Sequence, residues 1–180
     1  MDIILVAVAL ALDASGMSMG IACGTRLNFK NRMFLIFSFG FFQFLLALSG
    51  ALLGNYINTK IIKITDITSG IIILLIGIIL FKDGFKKEEE CIYRRLTFWT
   101  VIILSISVSI DALGIGFSVM HKEILFNMIN KSLVIGFIAS LFTFLSLNII
   151  RYLEKIIIIE KYSDFIAGVI LIIFGINMIL

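Results

Sequence analysis

The sequence predicts an all-α integral membrane protein of six transmembrane helices, arranged as two inverted three-helix repeats. Composition, the length of the apolar runs and an internal repeat carry that prediction. Of 180 residues, 61% are hydrophobic, 17 are Phe and only 15% are charged, with a mean hydropathy of +1.14. Soluble domains do not have this composition. Apolar runs occupy about 3–23, 33–54, 64–81, 98–120, 132–150 and 162–180, each near the ~20 residues a helix needs to cross a hydrocarbon core. They are too long and too uniformly apolar for barrel strands, and lipid offers no partners to an unpaired backbone.

The first run, 3–23, lacks a basic leading segment and is interrupted by Asp13, so it reads as a retained helix rather than a signal peptide. The second contains GFFQFLLALSG, with Gln43 as its central polar residue. The third follows Thr65 and Asp66, and the sixth follows Ser163 and Asp164, pairs that read as helix N-caps. The fourth includes SISVSI at 105–110, a strand-like alternation embedded in a much longer apolar segment. With no proline in the chain, any unwinding must come from Gly, Ser or Thr. The fifth ends near Asn148.

Loop charges set the orientation. Eleven Lys and Arg lie on one side (26, 30, 32, 82, 86, 87, 94, 95, 151, 155, 161) and four on the other (60, 63, 122, 131). The positive-inside rule makes the richer side cytoplasmic and places both termini outside the cell membrane. The net charge of +3 is then a matter of topology, not of nucleic-acid binding. Cys23 and Cys91 fall on the reducing side without a CxxC partner, so neither a disulfide nor a thiolate metal site is expected.

Sliding the chain against itself by 98 residues brings Asp13, Ala14 and Gly16 onto Asp111, Ala112 and Gly114. The same shift brings Leu35, Phe39 and Phe44 onto Leu133, Phe137 and Phe142, and Gly70 and Gly77 onto Gly168 and Gly175. Residues 1–81 and 98–180 are therefore the expected repeats, joined by a cytoplasmic linker at 82–97. An odd number of crossings per copy inverts the second copy, and transporters built this way hold their substrate near the midplane.

Asp13 lies about ten residues into its helix and Asp111 about thirteen, close to the bilayer centre at 1.5 Å per residue. Each costs roughly 2.5–3.5 kcal/mol there on insertion scales, an expense that points to function. The bland alternative is a protonated acid hydrogen-bonded between helices. Ala9, Asp13, Gly16 and Gly20 share one face, and Ser107, Asp111, Gly114 and Ser118 share its counterpart. Small residues at Gly16, Gly20, Gly114 and Ser118 let backbones approach, so the carboxylates are expected to converge.

Paired carboxylates suit a hard divalent cation such as Mg, Ca or Mn. Without metal, two close acids in low dielectric cannot both remain ionised, so metal and proton compete. Gln43 offers a further oxygen, and the gap-free alignment places Leu141 at its counterpart. Ser49 and Asn148 read chiefly as backbone-bonded, Met17 as packing, and the single His121 as an interfacial residue at a helix end.

The segments ALDASGMSMGIACG, SFGFFQFLLALSGALLG and SVSIDALGIGFSV resemble the MntP-type manganese efflux pumps, and the three-plus-three layout extends the resemblance over the chain. The resemblance implies manganese export, with Asp13 and Asp111 as essential intramembrane acids and Gln43 in the place of a polar helix-2 residue. Manganese is then a substrate, and no resident cofactor or enzymatic activity is implied. Ser15 and Leu113 stand where the family has an aromatic after Asp-Ala, and Ala47 replaces its helix-2 proline. These departures keep a YtaF-like sporulation membrane protein as an alternative, beside a small amino-acid exporter. An intramembrane aspartyl protease would need GxGD before its second acid, and SVSI stands there instead. The expected partners are the lipid bilayer and the transported ion.

Overall fold

The computed structural model describes residues 3–24, 27–60, 66–83, 97–149, 166, 168–173 and 175–176, and its elements are all helical. They are α1 (Ile3–Gly24), α2 (Phe29–Lys60), α3 (Asp66–Asp83), α4 (Phe98–Val108), α5 (Ile110–Val119) and α6 (Leu125–Ile149), with a further helical stretch at 168–173. Among the described residues, four spans are long and apolar enough to cross a bilayer: Ile3–Ala22, Phe29–Lys60, Phe98–Val119 and Leu125–Ile149. Ser69–Ile79 within α3 is a shorter apolar helix. The chain is thus a multi-pass helical membrane protein. The expectations for Thr65, Cys91, Ser163, Asp164 and linker residues 84–96 lie outside the described residues, as do the side chains of Cys23 and Asp66.

Size, more than polarity, decides which residues are inside. The buried positions of α1 and α2 are largely Ala, Gly and Ser, including Ala7, Ala9, Ala11, Ala14, Ser18, Ala47 and Ala51. Phe37, Leu53, Ile103 and Phe137 are among the large apolar side chains that face outward. Lipid tails are as apolar as Leu, so burying a large hydrocarbon gains little; close backbone approach gains dispersion contact.

The glycines report how the helices meet. A Cβ on Gly77 would lie 3.1 Å from the Gly168 carbonyl oxygen and 2.8 Å from Ile172 N. One on Gly175 would lie 3.0 Å from the Gly70 oxygen and 2.8 Å from Leu74 N. These two sets exchange under a shift of 98 residues, and they make α3 antiparallel to the stretch at 168–175.

The pair α2 and α6 also crosses antiparallel, but in another register. A Cβ on Gly40 would meet the Gly136 oxygen at 2.8 Å and Ser140, while one on Gly136 would meet the Gly40 oxygen at 2.6 Å and Phe44. Those contacts exchange under a shift of 96. Burial agrees: Phe39 is 1% exposed whereas Phe137, its partner at 98, is 70% exposed, and Ile135, its partner at 96, is fully buried. Twenty-seven residues separate Asp13 from Gly40 and twenty-five separate Asp111 from Gly136, so the second connection is two residues shorter. The gap-free alignment of helix 2 is therefore corrected. At an offset of 96, Gln43 falls on the buried Ala139, and Leu141 faces outward.

Polar side chains secure the helix ends. Arg32, buried at the start of α2, donates to the Leu147 carbonyl at 2.9 Å and to Asn148 Oδ1 at 2.8 Å, which caps the last turn of α6 with a cation. Glu123, between α5 and α6, accepts from Lys131 at 2.7 Å and from Asn127 at 3.1 Å. The Lys131 bond holds the Glu123 carboxyl below the usual carboxylate range. A depressed folded pKa contributes stability that is present above the unfolded pKa and lost as pH falls through the folded one. For so exposed a pair the contribution is about 0.2–1 kcal/mol. Glu123→Gln is expected to lower the thermal midpoint slightly at neutral pH and not at all in strong acid; paired melts at the two pH values check this.

Candidate functional site

The site is built around a break in the fourth span. Ser105 and Ser109 donate their hydroxyls to the carbonyls of Val101 and Ser105, each at 2.7 Å. Such back-bonding loosens and bends a helix. Ser109 takes φ −96° and ψ 4°, its N–H is shared between the Ser105 and Ile106 carbonyls, and the next bond, Leu113 N to Ser109 O, is stretched to 3.4 Å. Serine, in a chain without proline, supplies the interruption.

The helix restarts at Ile110, which makes Asp111 an acid of the first turn of α5. Asp111 Oδ1 accepts the Ala112 N–H at 2.7 Å, whereas Oδ2 is buried and has no hydrogen-bond partner among the described residues.

Gln43 is fully buried in α2, and neither its Oε1 nor its Nε2 has a partner among the described residues. A Cβ on Gly116 would strike the Ala47 backbone, one on Gly50 would strike Leu113 and Phe117, and one on Gly54 would reach Phe117 and His121. The two indices rise together, so α2 and α5 run parallel. Stepping back one turn from Ala47 and Gly116 arrives at Gln43 and Ala112, which brings Gln43 to the level of Asp111.

Asp13 is half-buried in α1. The residues beside the two acids share packing: Ala14 with Phe39 and Val108 in one buried cluster, Ala9 and Leu10 with Ala47 and Ala112 in another. Of the expected packing residues, Gly16 is buried and Gly20 half-buried, while Gly114 faces Ile76 of α3. Ser118 is fully buried, with no partner for its hydroxyl among the described residues. Ser107 is exposed, because the turn at Ser109 resets the helical phase.

The tight α2–α5 contact uses Gly50, Gly54 and Gly116, which the aspartate-centred stripe did not select. A signal for two of them was present in SGALLG, where Gly50 and Gly54 form a GxxxG. Ser49 and Asn148 bond the carbonyls of Leu45 and Phe144 at 2.8 and 3.0 Å, and Met17 packs in the core, as expected. His121 differs from expectation: it is buried, because Gly54 lets α2 close over it. Among the described residues no three His, Cys, Asp or Glu side chains gather around one point.

A family model described as "Putative manganese efflux pump" matches residues 26–179. Proteins bearing that description include one from Clostridium botulinum strain Hall, 40% identical over 179 residues and covering 99% of this chain and 97% of its own. One from Clostridium novyi is 41% identical over 183 residues, covering 99% and 96%, and one from Methanobrevibacter smithii is 27% identical over 186, covering 99% and 96%. No solved structure matches. Matched over residues 26–179 by the family model and along nearly its whole length by relatives at about 40% identity, this chain belongs to the manganese efflux pump family.

Proposed function

We propose that this chain exports a divalent cation, manganese, from the cytoplasm. Asp13 and Asp111 carry the ion near the midplane, Gln43 adds an amide oxygen, and proton influx is the counter-flow. The observation that carries the reading is the placement of Gln43 level with Asp111, each with buried polar atoms that lack partners among the described residues. Unpaired buried polar atoms are costly, and a site that a substrate completes accounts for that cost. Oxygen donors with one or two negative charges suit Mn2+, and the names borne by the relatives agree with that ion.

The scaffold in this reading is two inverted three-helix halves, residues 1–81 and 98–180, with both termini outside. The contacts that exchange at 98 between α3 and residues 168–175, and at 96 between α2 and α6, support it. Alternating access would then rock one half against the other about the crossing of Gly40 with Gly136.

Inverted vesicles carrying the parent chain are expected to accumulate radioactive manganese when their interior is acid, and to stop when the proton gradient collapses. Uptake equal to that of vesicles without the chain would remove the pump reading; uptake indifferent to the gradient would remove the counter-flow. Cysteines at the termini should react with impermeant reagents added to intact cells, and protection there would reverse the orientation.

A further inference from the structure

We propose that His121, Ser69 and Ser118 form a second station for the divalent ion, displaced from Asp111 toward the end of the bundle that carries Lys60, Lys122 and Lys131. This rests on the transport reading above and extends it along α5. Ser118 follows Asp111 by seven residues, a rise of roughly 10 Å along α5, and His121 lies in the turn just past the end of that helix.

The histidine is prepared as a ligand. Its Nδ1 is 2.8 Å from the Ser118 carbonyl oxygen, which can only accept, so Nδ1 carries the proton. In the neutral ring Nε2 then holds a lone pair, and it is buried with no partner among the described residues. Metal-binding histidines are characteristically oriented this way, one ring N–H tied to a carbonyl and the other nitrogen left for the ion.

Oxygen donors come from both α5 and α3. Ser118 is on α5 itself. On α3, Ile76 packs over Gly114, and α3 begins where α2 ends, the end at which Gly54 lies against His121. The two helices therefore run antiparallel. Seven residues back from Ile76 is Ser69, while four forward from Gly114 is Ser118 and the turn that carries His121 follows at once, so all three lie toward the same end of the α3–α5 pair. The Ser69 and Ser118 hydroxyls are fully buried and, like Nε2, without partners among the described residues. One cation held between α3 and α5 would satisfy all three.

An imidazole nitrogen suits first-row divalent ions such as Fe, Ni, Cu and Zn, and the hydroxyl oxygens beside it extend the set toward the harder ions. The donors are neutral, so they hold the ion less tightly than the paired carboxylates. A permeation path needs that gradation, strong enough to accept the ion and weak enough to release it.

The chain has one histidine, so isotope labelling reports on one ring. Full-length protein in nanodiscs is titrated with cadmium(II), a diamagnetic probe of the same charge, while the ring nitrogens are followed by NMR. The expected result is a shift of Nε2 with Nδ1 nearly unmoved, in the parent and equally in Asp111→Asn, and a right-shifted titration in Ser69→Ala. No Nε2 shift in a parent that exports manganese would overturn the station and leave the transport reading standing. A shift lost in Asp111→Asn would also overturn it, by making His121 part of the midplane site. A shift in a parent that transports nothing would support the station and remove the pump.

Discussion

Asp111→Asn is expected to abolish manganese efflux without lowering the stability of the protein. Both halves of that expectation follow from one geometric fact: Oδ1 is held by the Ala112 N–H, while Oδ2 is buried and unpartnered among the described residues. For transport, asparagine keeps the shape and removes the charge. Taking one charge from a buried ionic contact costs about 3–5 kcal/mol, or roughly two to four orders of magnitude in affinity for the ion. For stability the sign reverses. An ionised acid near the bilayer centre carries roughly 2.5–3.5 kcal/mol of insertion cost that a neutral amide reduces. A residue kept for the fold would behave in the opposite way. Efflux from loaded cells, read beside the thermal midpoint of the purified protein, separates the cases. Loss of transport together with a lowered midpoint would reassign Asp111 to a structural role, and undiminished transport would remove it from the site. Asp13→Asn is expected to abolish efflux as well.

Gly116→Ala is expected to be more damaging than Gly114→Ala, although Gly114 lies closer to Asp111 along the chain. A Cβ on Gly116 would press on the backbone of Ala47, with that residue's carbonyl carbon at 2.9 Å, and helix backbone cannot move aside without shifting all of α2. Overpacking of this kind costs about 1–3 kcal/mol or more. It would also slide Gln43 out of level with Asp111, so transport should fall together with stability. A Cβ on Gly114 meets the Ile76 Cδ1 at 2.7 Å, the end of a flexible side chain that can rotate away. Its cost should stay below about 1 kcal/mol, the scale of a tolerated core swap. Thermal melts of the two variants side by side decide the matter, and an equal or reversed order would mean that α2 and α5 are not locked at Ala47.

Particular residues show how far the sequence was legible. Asp13 and Asp111 stand out because an acid inside an apolar run violates the expectation for lipid, and such a violation is visible without any neighbour. Gly70 and Gly77 could be paired with Gly168 and Gly175 because their total distance from Asp13 and from Asp111 is the same. The fourth span was readable as one crossing, and the sequence left Gly, Ser and Thr as the residues that could break it. That the break falls at Ser109, next to Asp111, was not, since Ser105, Ser107 and Ser109 are equivalent in a one-dimensional pattern. Helix 2 misled for a related reason. Phe, Ile and Leu are so frequent that Phe39 matches Phe137 by composition alone, and burial was needed to show that Ile135 is its partner.

By itself the sequence determined the solvent of this protein, its helical character, its two intramembrane acids and its family. All of these depend on local properties: the cost of an unpaired backbone in hydrocarbon, the length of an apolar run, and the type of residue that interrupts it. Only the tertiary structure decided which glycines meet which carbonyls, that α2 and α6 pair at 96 rather than 98, that Gln43 stands level with Asp111, and that His121 is enclosed. Register between helices arises from backbone atoms fitting together at van der Waals distance. A two-residue change in one short connection alters that fit and leaves every hydrophobic period along the chain unchanged.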